Sequence, residues 1–146
     1  ITREHKSVGC VFGGSCVLPC RFQPSSDTIL HWNKLNGKNV QVHSYYDDQD
    51  QLGHQDPLYK GRTSLFHDQI SGGNASLGLA RVNLQDQGRY LCYARTSQNN
   101  QETFVTLTVK GELKSYDQGL YDITGFLTTV YSQIYVYALL CIQTFS

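Results

Sequence analysis

The segment Asp86-Gln87-Gly88-Arg89-Tyr90-Leu91-Cys92 decides the fold when it is placed beside two residues upstream. Cys20 lies in a run of alternating apolar side chains, and Trp32 lies in the next such run. In a sandwich of two β-sheets, a Cys20–Cys92 disulfide would cross the core, Trp32 would pack on its sulfurs, and the Tyr90 hydroxyl would anchor the preceding corner. Closing so long a loop stabilises a fold by about 4 kcal/mol in the loop-entropy model.

Short runs with two-residue alternation continue outward from this segment up to Gly111, separated by clusters of Gly, Asn, Asp, Pro and Ser. The pattern predicts an all-β fold, a two-sheet antiparallel Greek-key sandwich, over residues 1–111. Asn36-Gly37 predicts a tight hairpin, and the polar stretch from Asp47 to Lys60 predicts an edge excursion with at most one short strand. The predicted strands are Lys6–Val11, Cys16–Phe22, Thr28–Leu35, Val40–Tyr46, Thr63–His67, Ala75–Val82, Arg89–Arg95 and Thr103–Lys110.

Charge and composition exclude whole classes of function. The 146 residues include 12 Lys and Arg against 12 Asp and Glu, and the pI is near 7.1. A neutral chain offers no basic face for a phosphate backbone, so we expect no nucleic-acid partner. Five cysteines and a glycosylation sequon indicate an extracellular protein. Because the chain begins at Ile1 and contains no Met, we expect a processed product or a fragment.

The Cys-Trp-Cys pattern and the Asp-x-Gly-x-Tyr-x-Cys segment together resemble an immunoglobulin variable-type (V-set) domain, and the long interval between the two cysteines leaves room for the additional edge strands of that type. The resemblance implies that Arg62 pairs with Asp86, and that Gly88 belongs to the same framework. Narrower matches resemble the butyrophilin and T-cell co-stimulatory ligand family. They are Val42-His43-Ser44-Tyr45-Tyr46, Gln55-Asp56-Pro57-x-Tyr59, Gly61-Arg62-Thr63-Ser64-Leu65-Phe66 and Gly73-Asn74-Ala75-Ser76-Leu77.

The last predicted strand departs from antigen-receptor variable domains. Those domains carry an aromatic-Gly-x-Gly bulge there, whereas this chain reads Thr103-Phe104-Val105-Thr106-Leu107. The difference argues against pairing in the antibody heavy-light manner. It leaves the sheet face of this domain free to meet a receptor on another cell.

Two further covalent features are expected outside the central framework. Cys10 and Cys16 flank a turn containing two glycines, which predicts a second disulfide. Two free or mispaired thiols are the alternative, and a zinc site is disfavoured because no Cys-x-x-Cys or His-x₃-His spacing occurs. Asn74-Ala75-Ser76 is the only N-glycosylation sequon, and it lies at a glycine-rich turn.

No pattern of residues supports catalysis. The five histidines have no metal-ligand period, and the acidic stretch Asp47, Asp48 and Asp50 lacks the glycine and terminal glutamate of a calcium loop. No nucleophile elbow, phosphate loop or dinucleotide fingerprint is present. We therefore expect no enzyme activity, no catalytic residue, no metal and no cofactor.

Side-chain alternation predicts a recognition face on the sheet that carries the last strands. If Trp32 and Cys92 point inward, Asn33, Tyr93 and Arg95 point outward. Tyr45 from a neighbouring strand and the loop from Thr96 to Gln101 are expected to complete this receptor-binding face, because Tyr and Arg are enriched at binding hot spots. An ordinary mixed surface is an equally good reading of the same residues.

Residues 112–146 form a hydrophobic tail with no charged residue from Ile123 onward. We expect a truncated or alternative end, with a weak membrane span as the second interpretation. The family resemblance implies a cell-surface immune ligand that binds a lymphocyte receptor on the external side of the plasma membrane and modulates T-cell activation and cytokine production. A soluble decoy or a cell-cell adhesion domain would use the same fold.

Overall fold

The first 110 residues form two facing β-sheets in the computed structural model, which describes residues 1–111, 114–116, 119–121 and 130–135. The chain divides into two units, Ile1–Lys110 and Gly111–Ser146. The strands of the first unit are β1 Thr2–Val11, β2 Cys16–Leu18, β3 Ile29–Leu35, β4 Asn39–Tyr46, β5 Gln49–Asp50, β6 Thr63–Leu65, β7 Leu77–Leu79, β8 Gly88–Arg95 and β9 Asn100–Lys110. A short helix, α1, spans His67–Ile70, and single 3₁₀ turns cover Pro57–Tyr59 and Leu84–Asp86.

One sheet has six strands in the order β1-β9-β8-β3-β4-β5, and the other has three in the order β2-β7-β6. All pairings are antiparallel except that of β1 with β9, which is parallel along its whole length, from Thr2 opposite Gln101 to Val11 opposite Lys110. The all-β two-sheet sandwich predicted from the sequence is confirmed.

The core lies between the sheets because each strand turns alternate side chains inward. On β9, Thr103, Val105 and Leu107 are buried while Thr106 and Thr108 face solvent. Leu77 and Leu79 of β7 are also buried, on the facing sheet. Burying such side chains contributes about 1.5–3 kcal/mol for each large aliphatic residue.

Several predicted strands are shorter in the structure. The run Cys16–Phe22 is a strand only over Cys16–Leu18, and Arg21 makes an isolated bridge to Asn74. The run Thr63–His67 ends at Leu65, because His67 begins α1. Alternation identifies where side chains face, whereas the ends of a strand depend on backbone pairing that alternation does not encode.

Two hairpins of the six-stranded sheet have contrasting turns. Leu35 pairs with Asn39, so the loop between β3 and β4 has three residues, with Gly37 at φ 71°. The loop between β4 and β5 consists of Asp47 and Asp48, at φ 52° and 57°. Both aspartates thus adopt the left-handed conformation that a type I′ hairpin requires and that Asp tolerates better than most residues.

In the second unit, Lys114–Tyr116 pairs antiparallel with Gly119–Tyr121, and residues 130–135 are helical. Among the described residues, no helix has the length and apolar character needed to cross a membrane. The remainder of the tail for which a weak span was considered, and Cys141 within it, lie outside the described residues.

Candidate recognition face and its framework

The centre of the sandwich is a disulfide between Cys20 and Cys92, whose Cα atoms lie 6.4 Å apart. Trp32 lies directly opposite Cys92 on the neighbouring strand. Its ring is buried, and the indole Nε1–H donates to the carbonyl oxygen of Ala75 at 2.9 Å. The one polar atom of the indole is therefore satisfied by the facing sheet, which lets the ring fill the core without an unpaired donor.

A second disulfide joins Cys10 to Cys16 across 5.6 Å between Cα atoms. It ties the end of β1 in the six-stranded sheet to the start of β2 in the three-stranded sheet. The enclosed turn is further held by a hydrogen bond from the Gly13 amide to the Val82 carbonyl, at 2.7 Å. The bridge thus connects the two sheets at the end of the domain opposite the β8–β9 loop.

Arg62 and Asp86 form a buried two-pronged ion pair. Arg62 Nη1 lies 2.8 Å from Asp86 Oδ2, and Nη2 lies 2.8 Å from Oδ1. The side chains are 9% and 3% exposed. Arg62 also donates to the carbonyl oxygens of Leu58, Ala80 and Arg81. The hydrogen bonds that Arg62 donates to the Asp86 carboxylate raise the pKa of Arg62, which favours the charged guanidinium.

Tyr90 completes this corner. Its hydroxyl donates to the backbone carbonyl of Asp86 at 2.6 Å and accepts a hydrogen bond from Tyr59, with 2.9 Å between the hydroxyl oxygens. Burial, together with the bond from Tyr59, raises the pKa of Tyr90 far above its ordinary value. Gly88 precedes it at φ 147°, and a Cβ there would meet Lys34 Cε at 2.9 Å. A side chain at position 88 would therefore strain the backbone and displace Lys34.

The outer surface of the six-stranded sheet brings three of the predicted face residues together. Asn33 pairs with Leu91, and Ile29 pairs with Arg95, so Asn33, Tyr93 and Arg95 all lie on the outward side. Tyr93 and Asn33 are partly exposed and Arg95 is exposed. Glu102, opposite Tyr93 on β9, pairs with Arg3 of β1 at 2.9 Å.

This surface extends toward β1 through aromatic side chains that were not predicted from the sequence. Phe104 lies opposite Leu91, and the His5 ring stacks on it with centroids 5.1 Å apart. The Arg89 guanidinium lies 4.5 Å from the same ring centroid, which is cation-π geometry. Phe104 could have been predicted on the outer face from the sequence, because it lies two and four residues before Thr106 and Thr108, which face outward.

Tyr45 was predicted on the outer face, and this prediction is wrong. Tyr45 is 8% exposed and lies opposite Leu30, a core residue. The pairing of β3 with β4 shifts by one residue at Trp32, which pairs with His43 while Asn33 pairs with Gln41. The skipped residue, Val42, reverses which side chains of β4 face inward. Tyr46 is therefore the tyrosine on the outer face, with its ring 6.2 Å from that of His31.

The predicted loop from Thr96 to Gln101 is shorter in the structure, because β9 begins at Asn100. Thr96 is buried, and its amide donates to the Asn99 carbonyl at 2.8 Å while its hydroxyl accepts from the Asn99 amide at 3.2 Å. A shallow polar cleft separates this turn from Ile1. The tip between the last two strands is thus a tight turn anchored by Thr96.

A histidine cluster lies at the opposite edge of the same sheet. Asp50 Oδ1 lies 2.8 Å from Nε2 of His43, which is 1% exposed, and 2.9 Å from Nε2 of His67, which is 54% exposed. His43 Nδ1 accepts from the Thr63 hydroxyl at 2.8 Å when Nε2 carries the proton. Burial by itself raises the pKa of the Asp50 carboxyl, but the hydrogen bonds from His43 and His67 outweigh burial and hold the pKa below its usual value.

Hydrogen bonds in this cluster link β4 and β5 to β6 and α1. Within the residues that the structure describes, no group of three or more His, Cys, Asp or Glu has an arrangement suited to a metal ion. Its role in the geometry is to hold the short β5 strand against the three-stranded sheet.

A family model for the immunoglobulin V-set domain matches residues 3–110. The chain belongs to the immunoglobulin V-set family. It is 46% identical over 81 residues to the HERV-H LTR-associating protein 2 of Homo sapiens, an alignment that covers 56% of this chain and 19% of that protein. It is 42% identical over 88 residues to the V-set domain-containing T-cell activation inhibitor 1 of Homo sapiens, covering 58% and 31%. The chain thus spans less than a third of the length of these relatives.

Solved structures of V-set domains agree with this assignment. The human B7-H4 IgV-like domain is 36% identical with a TM-score of 0.66, covering 69% of this chain and 90% of that one. Bovine butyrophilin is 28% identical with a TM-score of 0.60, covering 76% and 57%. The resemblance to the butyrophilin and T-cell co-ligand group, and to the HERV-H LTR-associating protein within it, is confirmed by these matches. V-set domains of this kind are parts of extracellular or cell-surface proteins, and one of the matched relatives is named a T-cell activation inhibitor.

Proposed function

We propose that this V-set domain is a cell-surface ligand that binds a protein receptor on lymphocytes through the outer face of its six-stranded sheet, and thereby modulates T-cell activation and cytokine production. The observation that carries the proposal is the composition of that face. It presents aromatic rings and both signs of charge on adjacent strands, and we assign it no catalytic role.

The chemistry of the face suits a protein partner. Tyr93 and Arg95 project from β8, and Tyr and Arg dominate the hot spots of protein interfaces. Tyr46 and Asn33 lie on neighbouring strands, within the same outward surface. Rigid strands hold these side chains at fixed spacing, so little conformational entropy is lost on binding.

The relatives support an immune role. One is named a T-cell activation inhibitor, and 42% identity over 88 residues joins it to this chain. A chain in the crystal structure of ICOS in complex with ICOS-L and an anti ICOS-L VNAR domain is also similar, at 22% identity, which supports the shared fold alone. The proliferation and cytokine assay described next measures whether binding stimulates or inhibits T cells.

The proposal is tested by binding of the multimerised full chain to resting and activated T cells, read by flow cytometry. Tyr93→Ala and Arg95→Ala should each reduce binding by about tenfold or more, the effect of a hot-spot residue. Proliferation and cytokine release, measured with the same protein immobilised beside an activating antibody, should change in wild type and not in the variants.

Arg21→Ala is the matched control, because Arg21 is exposed and lies beside the three-stranded sheet. It should bind as wild type does. The receptor face is refuted if Tyr93→Ala and Arg95→Ala fold normally and bind at full strength. Binding to cells that display this same chain, without binding to T cells, would instead favour the adhesion reading.

A further inference from the structure

The sequon Asn74-Ala75-Ser76 lies where the chain approaches β7, beside the segment after β2 that contains Cys20. Ala75 is fully buried, whereas Asn74 is partly exposed. Asn74 Nδ2 donates to Gln69 Oε1 at 2.7 Å. An amide nitrogen carries two hydrogens and that bond uses one, so a sugar on Nδ2 is compatible with the folded chain.

The third residue of the sequon is part of the folded core. Ser76 is 8% exposed, and its Oγ accepts from the Cys20 amide at 3.1 Å and donates to the Cys20 carbonyl at 3.4 Å. The sequon requires a hydroxyl at this position, so the modifying enzyme must reach Ser76 Oγ. In the folded domain that oxygen is occupied by Cys20.

The backbone of the sequon is also fixed by the central framework. The Ala75 amide donates to the Cys20 carbonyl at 2.9 Å, and the Ala75 carbonyl accepts from the Trp32 indole at 2.9 Å. An enzyme that binds the sequon in its active site would have to pull Ala75 out of the core and break both bonds. Folding around the Cys20–Cys92 disulfide therefore closes the site.

We propose that Asn74 is N-glycosylated and that only the unfolded chain is the substrate, so that occupancy is decided before the framework around Cys20 forms. In the reaction, Asn74 Nδ2 forms a bond to the anomeric carbon of a lipid-pyrophosphate-linked oligosaccharide. The carbon–oxygen bond to the pyrophosphate breaks, and the lipid pyrophosphate leaves together with one Nδ2 proton. After folding, the glycan projects beside the three-stranded sheet and leaves the outer face of the six-stranded sheet uncovered.

The experiment presents the full, unglycosylated chain to a detergent-solubilised oligosaccharyltransferase with its lipid-linked donor, in two states. One sample is folded and oxidised, and the other is reduced and alkylated. Glycan transfer is measured by intact mass and by sensitivity to an endoglycosidase. The folded sample should be modified at least about a hundredfold more slowly, because a stable domain unfolds only about one part in a thousand or less of the time.

Lys38→Thr in an Asn74→Gln background is the matched control, because it creates a sequon at Asn36 in the exposed β3–β4 turn. That variant should be modified in both states, and Asn74→Gln alone in neither. Equal modification of the two wild-type samples would overturn the gating by folding. Failure of the unfolded wild type, with the control sequon modified, would overturn Asn74 as a glycosylation site.

Discussion

Two paired carboxylates, one buried and one partly exposed, stabilise this domain in different ways. Asp86 is 3% exposed and is paired with a guanidinium that also binds three backbone carbonyls. Asp50 is 28% exposed and is paired with two imidazoles. The first pair joins a carboxylate to one guanidinium through two hydrogen bonds, whereas the second joins a carboxylate oxygen to two imidazoles through one hydrogen bond each. Depth of burial and the chemistry of the partner together set how much each contact matters.

The largest effect is expected from Arg62→Ala, which breaks the deeper pair. Removing the guanidinium leaves Asp86 buried without a counter-charge, so the free energy of unfolding should fall by about 3–5 kcal/mol. Urea denaturation followed by tryptophan fluorescence measures it, because Trp32 is the only indole. Arg89→Ala, which removes an exposed arginine of β8, is the control and should change stability by less than about 1 kcal/mol. Equal losses in the two variants would mean that burial of the pair is unimportant.

His43→Ala should have the next largest effect, because it removes the buried half of the second cluster. It leaves a cavity and takes away the partners of both Thr63 and Asp50, which should cost about 2–3 kcal/mol. His54→Ala, at an exposed position in the β5 excursion, should cost less than about 0.5 kcal/mol. The same denaturation assay compares them, and a loss below that of His54→Ala would contradict the cluster's role.

Asp50→Asn tests the charge of the second cluster and its dependence on pH. At neutral pH it should lower stability by about 1–2 kcal/mol, because two hydrogen bonds to a charged acceptor are weakened. The folded pKa of Asp50 lies below its unfolded value. Its stabilisation is therefore fully present above about pH 4 and is lost as the pH falls through the folded pKa.

The gap in stability between wild type and Asp50→Asn should accordingly be constant near neutral pH and should shrink below pH of about 4. Denaturation curves in buffers from neutral to strongly acidic conditions measure this gap. A stability gap that widens on acidification would show that the folded pKa of Asp50 does not lie below its unfolded value.

The smallest effect is expected from His67→Ala. His67 is 54% exposed, and its contact with Asp50 is screened by water, so the loss should be below about 1 kcal/mol. His43→Ala should cost more than His67→Ala, because both imidazoles donate to the same Asp50 oxygen but only His43 is buried and also bonds Thr63. Losses of equal size would indicate that exposure does not control the strength of these contacts.

The framework could be predicted from the sequence because the spacing of Cys20, Trp32 and the Asp86-to-Cys92 segment is typical of a variable-type sandwich. The inward direction of Trp32 and Cys92 was a premise of that prediction, and both side chains are buried in the structure. The paired positions of Arg62 and Asp86 came from the family resemblance, and the structure joins them through two hydrogen bonds.

The recognition face could be predicted only in part. Residues on β8 follow the phase of Cys92, which placed Tyr93 and Arg95 correctly in direction. The direction of Tyr45 was predicted wrongly, because the register shift at Val42 arises from the pairing of β3 with β4. That shift cannot be recognised from the alternation of either strand. The cluster around Asp50 was not predicted for a related reason. His43 and His67 contact the same Asp50 oxygen only because β5 and α1 bring these residues together.

The parallel alignment of β1 with β9 also governs how the protein can be handled. Since the two strands run side by side in the same direction, the amino terminus emerges next to Arg95 and the turn that precedes β9, and Lys110 emerges at the far end. A reporter fused before Ile1 would crowd the proposed receptor-binding surface. One fused at the carboxyl side of the sandwich would leave that surface clear, so affinity measured with the two orientations should differ even though no contact residue has changed.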